Sequence, residues 1–230
     1  RLRLSSLDPR EVPDRLLDVM AGSEIICPHL HICAQAGDDG ILKQMRRNYD
    51  TAYYGDLLRR VRERLPHAAL GSDIIVGFPG ETDAQFEDSL AYFATAPLTY
   101  FHVFPYSSRR GTVAASLPDK VPGAVKKTRS RRMRELGVGK KKEFCLSFVG
   151  QTADVLVEEK VDNTTGLRRG FSRNYLPVAV ADSGAPSNRE LAVRIDGFRN
   201  GWLTGHPVRG GNAEAHRESA PVNPVLKPSA

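Results

Sequence analysis

Cysteine is scarce. The 230 residues hold three, Cys27, Cys33 and Cys145, too few and too scattered for a disulfide framework, and this usage fits a reducing cytoplasm. Long apolar runs are missing as well. No stretch reaches the ~18 consecutive apolar residues that a membrane span needs, and no signal-peptide pattern opens the chain. Four catalytic or nucleotide-binding signatures are also absent: the Walker phosphate loop, the G-x-G-x-x-G dinucleotide turn, the G-x-S-x-G nucleophile elbow and H-E-x-x-H. The surplus is positive charge. A formal charge of +6 and a pI near 9.3 favour contact with a polyanion such as nucleic acid, or else describe an ordinary basic surface. With 40% hydrophobic residues, the chain can bury the core of one large domain or two modest ones.

The first half alternates between two periods. Strand-like "RLRLSS", "IICPHLHICAQAG", "ALGSDIIVGFPG" and "TYFHVFPYS" are separated by helix-like stretches. These are "DPREVPDRLLDVMAG", "DDGILKQMRRNY" with "DTAYYGDLLRRVRERLP", and "ETDAQFEDSLAYFATA". Alternation with short loops predicts parallel strands joined by crossover helices, an α/β fold whose ligand chemistry sits at the carboxyl ends of the strands. Polar clusters fall at those ends, at residues 5–8, 35–37, 77–82 and 106–109. The chain starts at Arg1, inside what reads as a strand, which is expected of a fragment of something longer.

From about residue 118 the pattern changes. Nine Lys or Arg and one acid, Glu135, lie between Lys126 and Lys142, behind Pro118 and Pro122. This predicts a basic helical linker over 118–143. Residues 144–209 carry short strands split by Gly, Asn and Asp turns and predict a small all-β barrel. The tail, 210–230, is rich in Ala, Pro, Asn and Ser and is expected to be disordered. The first domain is then 1–117.

The turn Gly77-Phe78-Pro79-Gly80-Glu81-Thr82 has two explanations. It is a tight βα turn with Glu81 favouring the next helix N-terminus, or a ligand lies against Gly77, which has no Cβ. Cys27 and Cys33 flank His29 and His31 on one strand. With roughly 20 Å between the cysteines at ~3.3 Å per residue, they cannot both grip one ion without a bend, and no Cys-x-x-Cys supports the closer His29 and His31, so packed strand residues are expected ahead of a metal site. The basic run is either a solvated helix face or an RNA contact. The small β domain adds Arg168, Arg169, Arg173 and Arg199 with Phe171, Tyr175, Phe198 and Trp202, a combination suited to phosphates and stacked bases. Phe171 and Trp202 are expected to be partly core.

Four ordered stretches, "LRLSSLDP", "HLHICAQAGDDGILKQMRRNY", "DIIVGFPGETDAQFEDSL" and "FHVFPYSSRRGTVAA", resemble the second half of the radical S-adenosylmethionine core of tRNA methylthiotransferases. "LVEE…GLRRGFSRNYLPV" resembles their C-terminal TRAM domain. "RLSSLDP", "HVFPYSSRRGT" and "GFSRNYLPV" look most like the branch acting on N6-threonylcarbamoyladenosine at position 37, beside the anticodon. The resemblance implies a four-stranded remnant of a (βα)6 partial barrel followed by an OB-like TRAM barrel. It also implies S-adenosylmethionine and two [4Fe–4S] clusters as cofactors, methylthiolation at C2 of the adenine, and the tRNA anticodon stem-loop as partner. The chain departs from the family in lacking Cys-x-x-x-Cys-x-x-Cys. Alone it is therefore expected to bind neither cluster and to be inactive, and an RNA-binding protein without catalysis is the alternative. By resemblance, Ser5, Ser6, Gln35, Arg47, Asp73, Ile75, Gly77 and Phe104 face the cofactor. Lys126, Lys127, Arg131, Arg132, Arg168, Arg169, Arg173 and Tyr175 are the expected RNA contacts. No proton-transfer residue and no resident metal ligand is expected.

Overall fold

The computed structural model describes residues 1–162, 165–182 and 184–208, so the expected disordered tail lies outside the described residues. Arg1–Ser147 form one compact unit, and the residues from Phe148 onward form a second.

In the first unit, β1 (His29–His31), β2 (Ala69–Val76) and β3 (Tyr100–Pro105) make a parallel sheet with β2 in the centre. The register sets His31 beside Gly71 and Asp73 beside His102. Alternate β2 residues Leu70, Ile74 and Val76 turn into the main core, where they meet Leu17 of α1 (Asp14–Ala21), Leu57, Leu58 and Val61 of α3 (Thr51–Arg64), and Phe86 and Phe93 of α4 (Asp83–Thr95). Asp73 and Ile75 have the other parity and look out on the opposite face. Local chemistry starts α2 and α3 where the sequence places them. Asp38 accepts from Ile41 N–H to cap α2 (Asp39–Gln44), and Asp50 does the same for α3 through Tyr53 N–H. Arg64 of α3 then binds Asp14 and Asp18 of α1, each at 3.0 Å.

Two expectations need correction. The first expected strand is reduced to isolated parallel bridges, Leu2 to Ile26 and Leu7 to Ile32, so the sheet has three strands where four were expected. Between those bridges Ser6 takes a left-handed φ of 58°, which breaks a continuous ladder. Glu81 is also not the cap of α4. Thr82 is, in a reciprocal capping box with Gln85.

Glu81 instead faces inward. Its Oε2 accepts from Gly77 N–H at 2.7 Å and from Arg129 Nη1 at 2.6 Å, and the two side chains are 2% and 7% exposed. Arg129 belongs to α6 (Gly123–Leu146), the segment expected to be a linker. The helix lies on β3: Met133 joins the main core, and the missing Cβ of Gly137 admits the Phe101 ring. Arg134 and Lys140 donate to the Val103 and Ala96 carbonyls. A helix with nine basic residues in its run thus spends several of them on the protein itself.

In the second unit, β4 (Thr152–Val161), β5 (Arg168–Ser172), β6 (Pro177–Val180), β8 (Trp202–Pro207) and β7 (Arg189–Arg199) close into a barrel in that order. Val155, Val157, Val178, Val180, Val193, Ile195 and Leu203 are buried. β8 can enter between β6 and β7 because Gly205 carries no side chain. A Cβ there would run into the Arg194 carbonyl. Gly205→Ala is expected to destabilise this unit by about 1–3 kcal/mol, the usual cost of overpacking, seen as a lower urea midpoint at unchanged slope. An unchanged midpoint would show that the seam has slack.

Candidate functional site

Two surfaces lie at or beside the carboxyl end of the sheet. The first is a cleft of about 290 Å³ lined by Arg46, Arg47, Ile75, Phe78, Tyr106 and Leu117, among others. Its floor is a small cluster of Ala36, Ile41, Leu42, Tyr49 and Phe78. The Phe78 and Tyr106 rings meet edge to face with centroids 5.2 Å apart. The Tyr106 hydroxyl is buried and has no hydrogen-bond partner among the described residues. A buried hydroxyl without a partner costs ~1–3 kcal/mol. Two guanidinium groups and two aromatic rings around a cleft suit a ligand with a flat ring and an anionic end.

The second surface is the sheet face opposite the main core. His29 Nε2 lies 2.8 Å from the Tyr100 hydroxyl, and His31 Nδ1 lies 3.4 Å from the same oxygen. His31 Nε2 lies 3.1 Å from Asp73 Oδ1, and Cys33 Sγ donates to Asp73 Oδ2 at 3.6 Å. The His102 ring stacks near His31 at 5.6 Å. Burial, helped by the nearby positive charge of Arg3, holds the His29 imidazole down at about 4. Burial also lowers His31, outweighing the pull of Asp73. Burial and the Asp73 carboxylate push the Cys33 thiol up to about 11.

The expected cofactor residues divide between these surfaces. Arg47 and Ile75 line the cleft. Asp73 and Phe104 sit on the histidine-bearing face, Phe104 being 50% exposed. Gln35, at φ 68°, extends the ladder along β2, donating to the Asp73 carbonyl and accepting from Ile75 N–H. Ser5 and Ser6 are exposed on the N-terminal segment. Gly77 is the surprise. Its φ of 73° favours glycine, but the space its missing Cβ leaves is filled by the stem of Lys126. The Lys126 ammonium donates to the Tyr106 carbonyl at 3.0 Å. Burial lifts the Glu81 carboxyl above its ordinary value, while the Gly77 amide and Arg129 pull it back.

Among the expected RNA contacts, Lys127 and Arg131 are exposed, the latter 3.9 Å from Glu135. Arg132 pairs with Glu87, Arg169 with Asp162, and Arg173 with Glu190. Arg168 is half-buried on β5. Tyr175 is exposed and stacks on Phe171 with centroids 4.8 Å apart, and the Arg169 guanidinium lies over the Trp202 ring. Sequence inspection missed Tyr100 and His102 and marked Tyr106 only as part of a polar rim cluster. Their alternation within "TYFHVFPY" was the available signal, but its meaning depends on the register with β2.

The cysteines do not fit a cluster. Cys27 and Cys33 straddle β1 from opposite ends, and Cys145 is buried in the last turn of α6. Anaerobic reconstitution of this chain with iron and sulfide is expected to leave no stoichiometric iron–sulfur absorbance, and a stoichiometric band would contradict the placement. Gly77→Ala is expected to cost at least ~1–2 kcal/mol from the left-handed backbone alone and more from the Lys126 stem. The loss should shrink when Lys126→Ala is added, and equal losses in both backgrounds, measured by urea unfolding, would mean that the stem does not press on Gly77.

Residues 1–93 match the Radical SAM superfamily. The chain is 39% identical over 203 residues to the threonylcarbamoyladenosine tRNA methylthiotransferase MtaB of Rickettsia prowazekii (strain Madrid E), covering 88% of this chain and 46% of that protein. It is 42% identical over 176 residues to the tRNA-2-methylthio-N(6)-dimethylallyladenosine synthase of Corynebacterium urealyticum, covering 76% of this chain and 32% of that protein. Among solved structures, coproporphyrinogen III oxidase from Escherichia coli, a radical SAM enzyme, matches at 19% identity and a TM-score of 0.48, over 65% of this chain and 33% of that one. The chain spans less than half the length of both curated relatives.

Proposed function

From a chain that carries a Radical SAM segment and is a relative of tRNA methylthiotransferases over most of its length, we propose that it forms part of a tRNA-modifying enzyme. In this reading the enzyme acts in the cytoplasm and methylthiolates C2 of N6-threonylcarbamoyladenosine at position 37. The sheet unit is the remnant of the radical SAM partial barrel, and the closed barrel is an OB-like TRAM module that meets the anticodon stem-loop. The observation that carries the cofactor half is the cleft with its two arginines and the edge-to-face Phe78–Tyr106 pair. The carboxylate and the adenine of S-adenosylmethionine fit that chemistry. Arg47 would pair with its carboxylate through a planar fork, Phe78 and Tyr106 would offer ring faces to its adenine, and Ile75 would supply an apolar wall. Lys126 keeps the nucleoside off Gly77. When bound, this cofactor supplies the deoxyadenosyl group that removes hydrogen from the target carbon. The [4Fe–4S] chemistry of such enzymes needs cysteines beyond the three present.

The RNA half rests on the Phe171–Tyr175 stack and the Arg169–Trp202 pair, which present ring faces beside cations. Stacked bases and phosphates are the matching partners. Because several cations are already paired with carboxylates, the ring faces carry more of the recognition than the net charge suggests. A second reading, RNA binding without catalysis, is favoured by the cysteine placement alone.

Gel-shift titration with an anticodon stem-loop separates these. Binding is expected to weaken steeply with salt, to prefer a stem-loop carrying N6-threonylcarbamoyladenosine over one carrying isopentenyladenosine, and to fall on Tyr175→Ala by the ~1–3 kcal/mol of one base–aromatic stack. Equal binding to both loops would contradict the substrate assignment, and no salt-sensitive binding would contradict the tRNA partner. Calorimetric S-adenosylmethionine binding that is lost on Arg47→Ala favours the enzyme, whereas its absence favours the second reading.

A further inference from the structure

We propose that the sheet face opposite the main core holds a divalent transition-metal ion on His31, Asp73 and His102, one pleat along β2 from Ile75 of the cofactor cleft. Three adjacent strands each contribute one residue, and the ligand atoms all lie within 4.8 Å of one another. Asp73 and His102 are direct cross-strand partners. His31 is paired with Gly71, two residues before Asp73, so all three project from one face. Donors held ~2.0–2.2 Å from an ion stand about 3–3.5 Å apart. His31 Nε2 and Asp73 Oδ1 already do, at 3.1 Å. His102 is exposed, so its ring has room to turn inward and close the set.

The surrounding groups are arranged as a metal-bound histidine requires. Gly71 has no side chain, and the Tyr100 ring occupies the space a Cβ would take. That brings the Tyr100 hydroxyl to His31 Nδ1 at 3.4 Å, leaving Nε2 directed at Asp73. Tyr100 is in turn held by His29 Nε2 at 2.8 Å, and His29 Nδ1 is anchored 3.4 Å from the Leu4 carbonyl. An outer partner on the second ring nitrogen fixes the tautomer and orientation of a ligating imidazole. Two imidazoles and one carboxylate with remaining positions open suit zinc or a ferrous-type ion, and calcium or magnesium much less. The exposed side of the set is the open coordination side. Ile75 and Phe104, the next cross-strand pair on this face, lie one pleat above the ion.

Cobalt(II) tests the site, because its visible d–d bands report coordination. The full chain, freed of metal, is expected to bind about one cobalt per molecule in the low-coordinate N,N,O manner, without a sulfur-to-metal charge-transfer band, and to release it to zinc. His102→Ala replaces an exposed residue and leaves the core intact. It should weaken binding at least ~tenfold, as should Asp73→Asn, and Tyr100→Phe should weaken it by the ~tenfold typical of an outer-shell loss. Cys33→Ser should leave binding unchanged. No cobalt bands, bands that persist undiminished in both His102→Ala and Asp73→Asn, or bands lost on Cys33→Ser would each overturn the proposal. Circular dichroism on each variant separates loss of the site from loss of the fold.

Discussion

The first unit depends on one buried carboxylate. Glu81 joins the Gly77 amide, where β2 ends, to Arg129, where α6 crosses. A buried ion pair adds little over a well-packed apolar replacement, but breaking one partner away is costly because it strands a charge. The pair therefore fixes where α6 docks more than it adds net stability. Its position decides what else is possible. With α6 in place, Lys126 reaches Gly77 and the Tyr106 carbonyl, and Met133 and Gly137 seal the outer side of β3. The turn that the sequence marks as a place of close approach is approached by the protein itself.

This placement separates two surfaces that a reading of the strand tips would merge. The cleft at Arg47, Ile75, Phe78 and Tyr106 is apolar with cationic edges. The histidine face carries a connected polar chain from His29 through Tyr100 and His31 to Asp73. The first suits a nucleoside with an anionic end, and the second suits a cation. They share β2, whose alternate residues Asp73 and Ile75 project on the same side, one pleat apart. Function divides along a single strand because period two lets neighbouring positions on one face serve different ligands.

Much of this architecture was legible in advance. The β–α alternation, the helix starts at Asp38 and Asp50, and the β-rich second half follow from local periodicity and capping, which need only neighbouring residues. The first strand was over-read, since Ser6 breaks its ladder and no propensity rule signals that. α6 was misjudged for a different reason. Arg129 meets Glu81 across 48 positions, so its basic run looks solvated until the partner is known. The metal-ligand set was hidden in the same way. His31 was weighed only against cysteines on its own strand, while its neighbours Asp73 and His102 arrive from β2 and β3 through the register.

A double-mutant cycle on Glu81 and Arg129, read by urea unfolding of the full chain, tests the central constraint. Arg129→Met, which leaves the Glu81 carboxylate buried without its cation, should cost about 3–5 kcal/mol; Glu81→Gln should cost less, because Asp83 still holds Arg129 at 2.6 Å; and the double variant should cost little more than Arg129→Met alone. Strictly additive losses, or singles that leave stability unchanged, would show that α6 is held by other contacts.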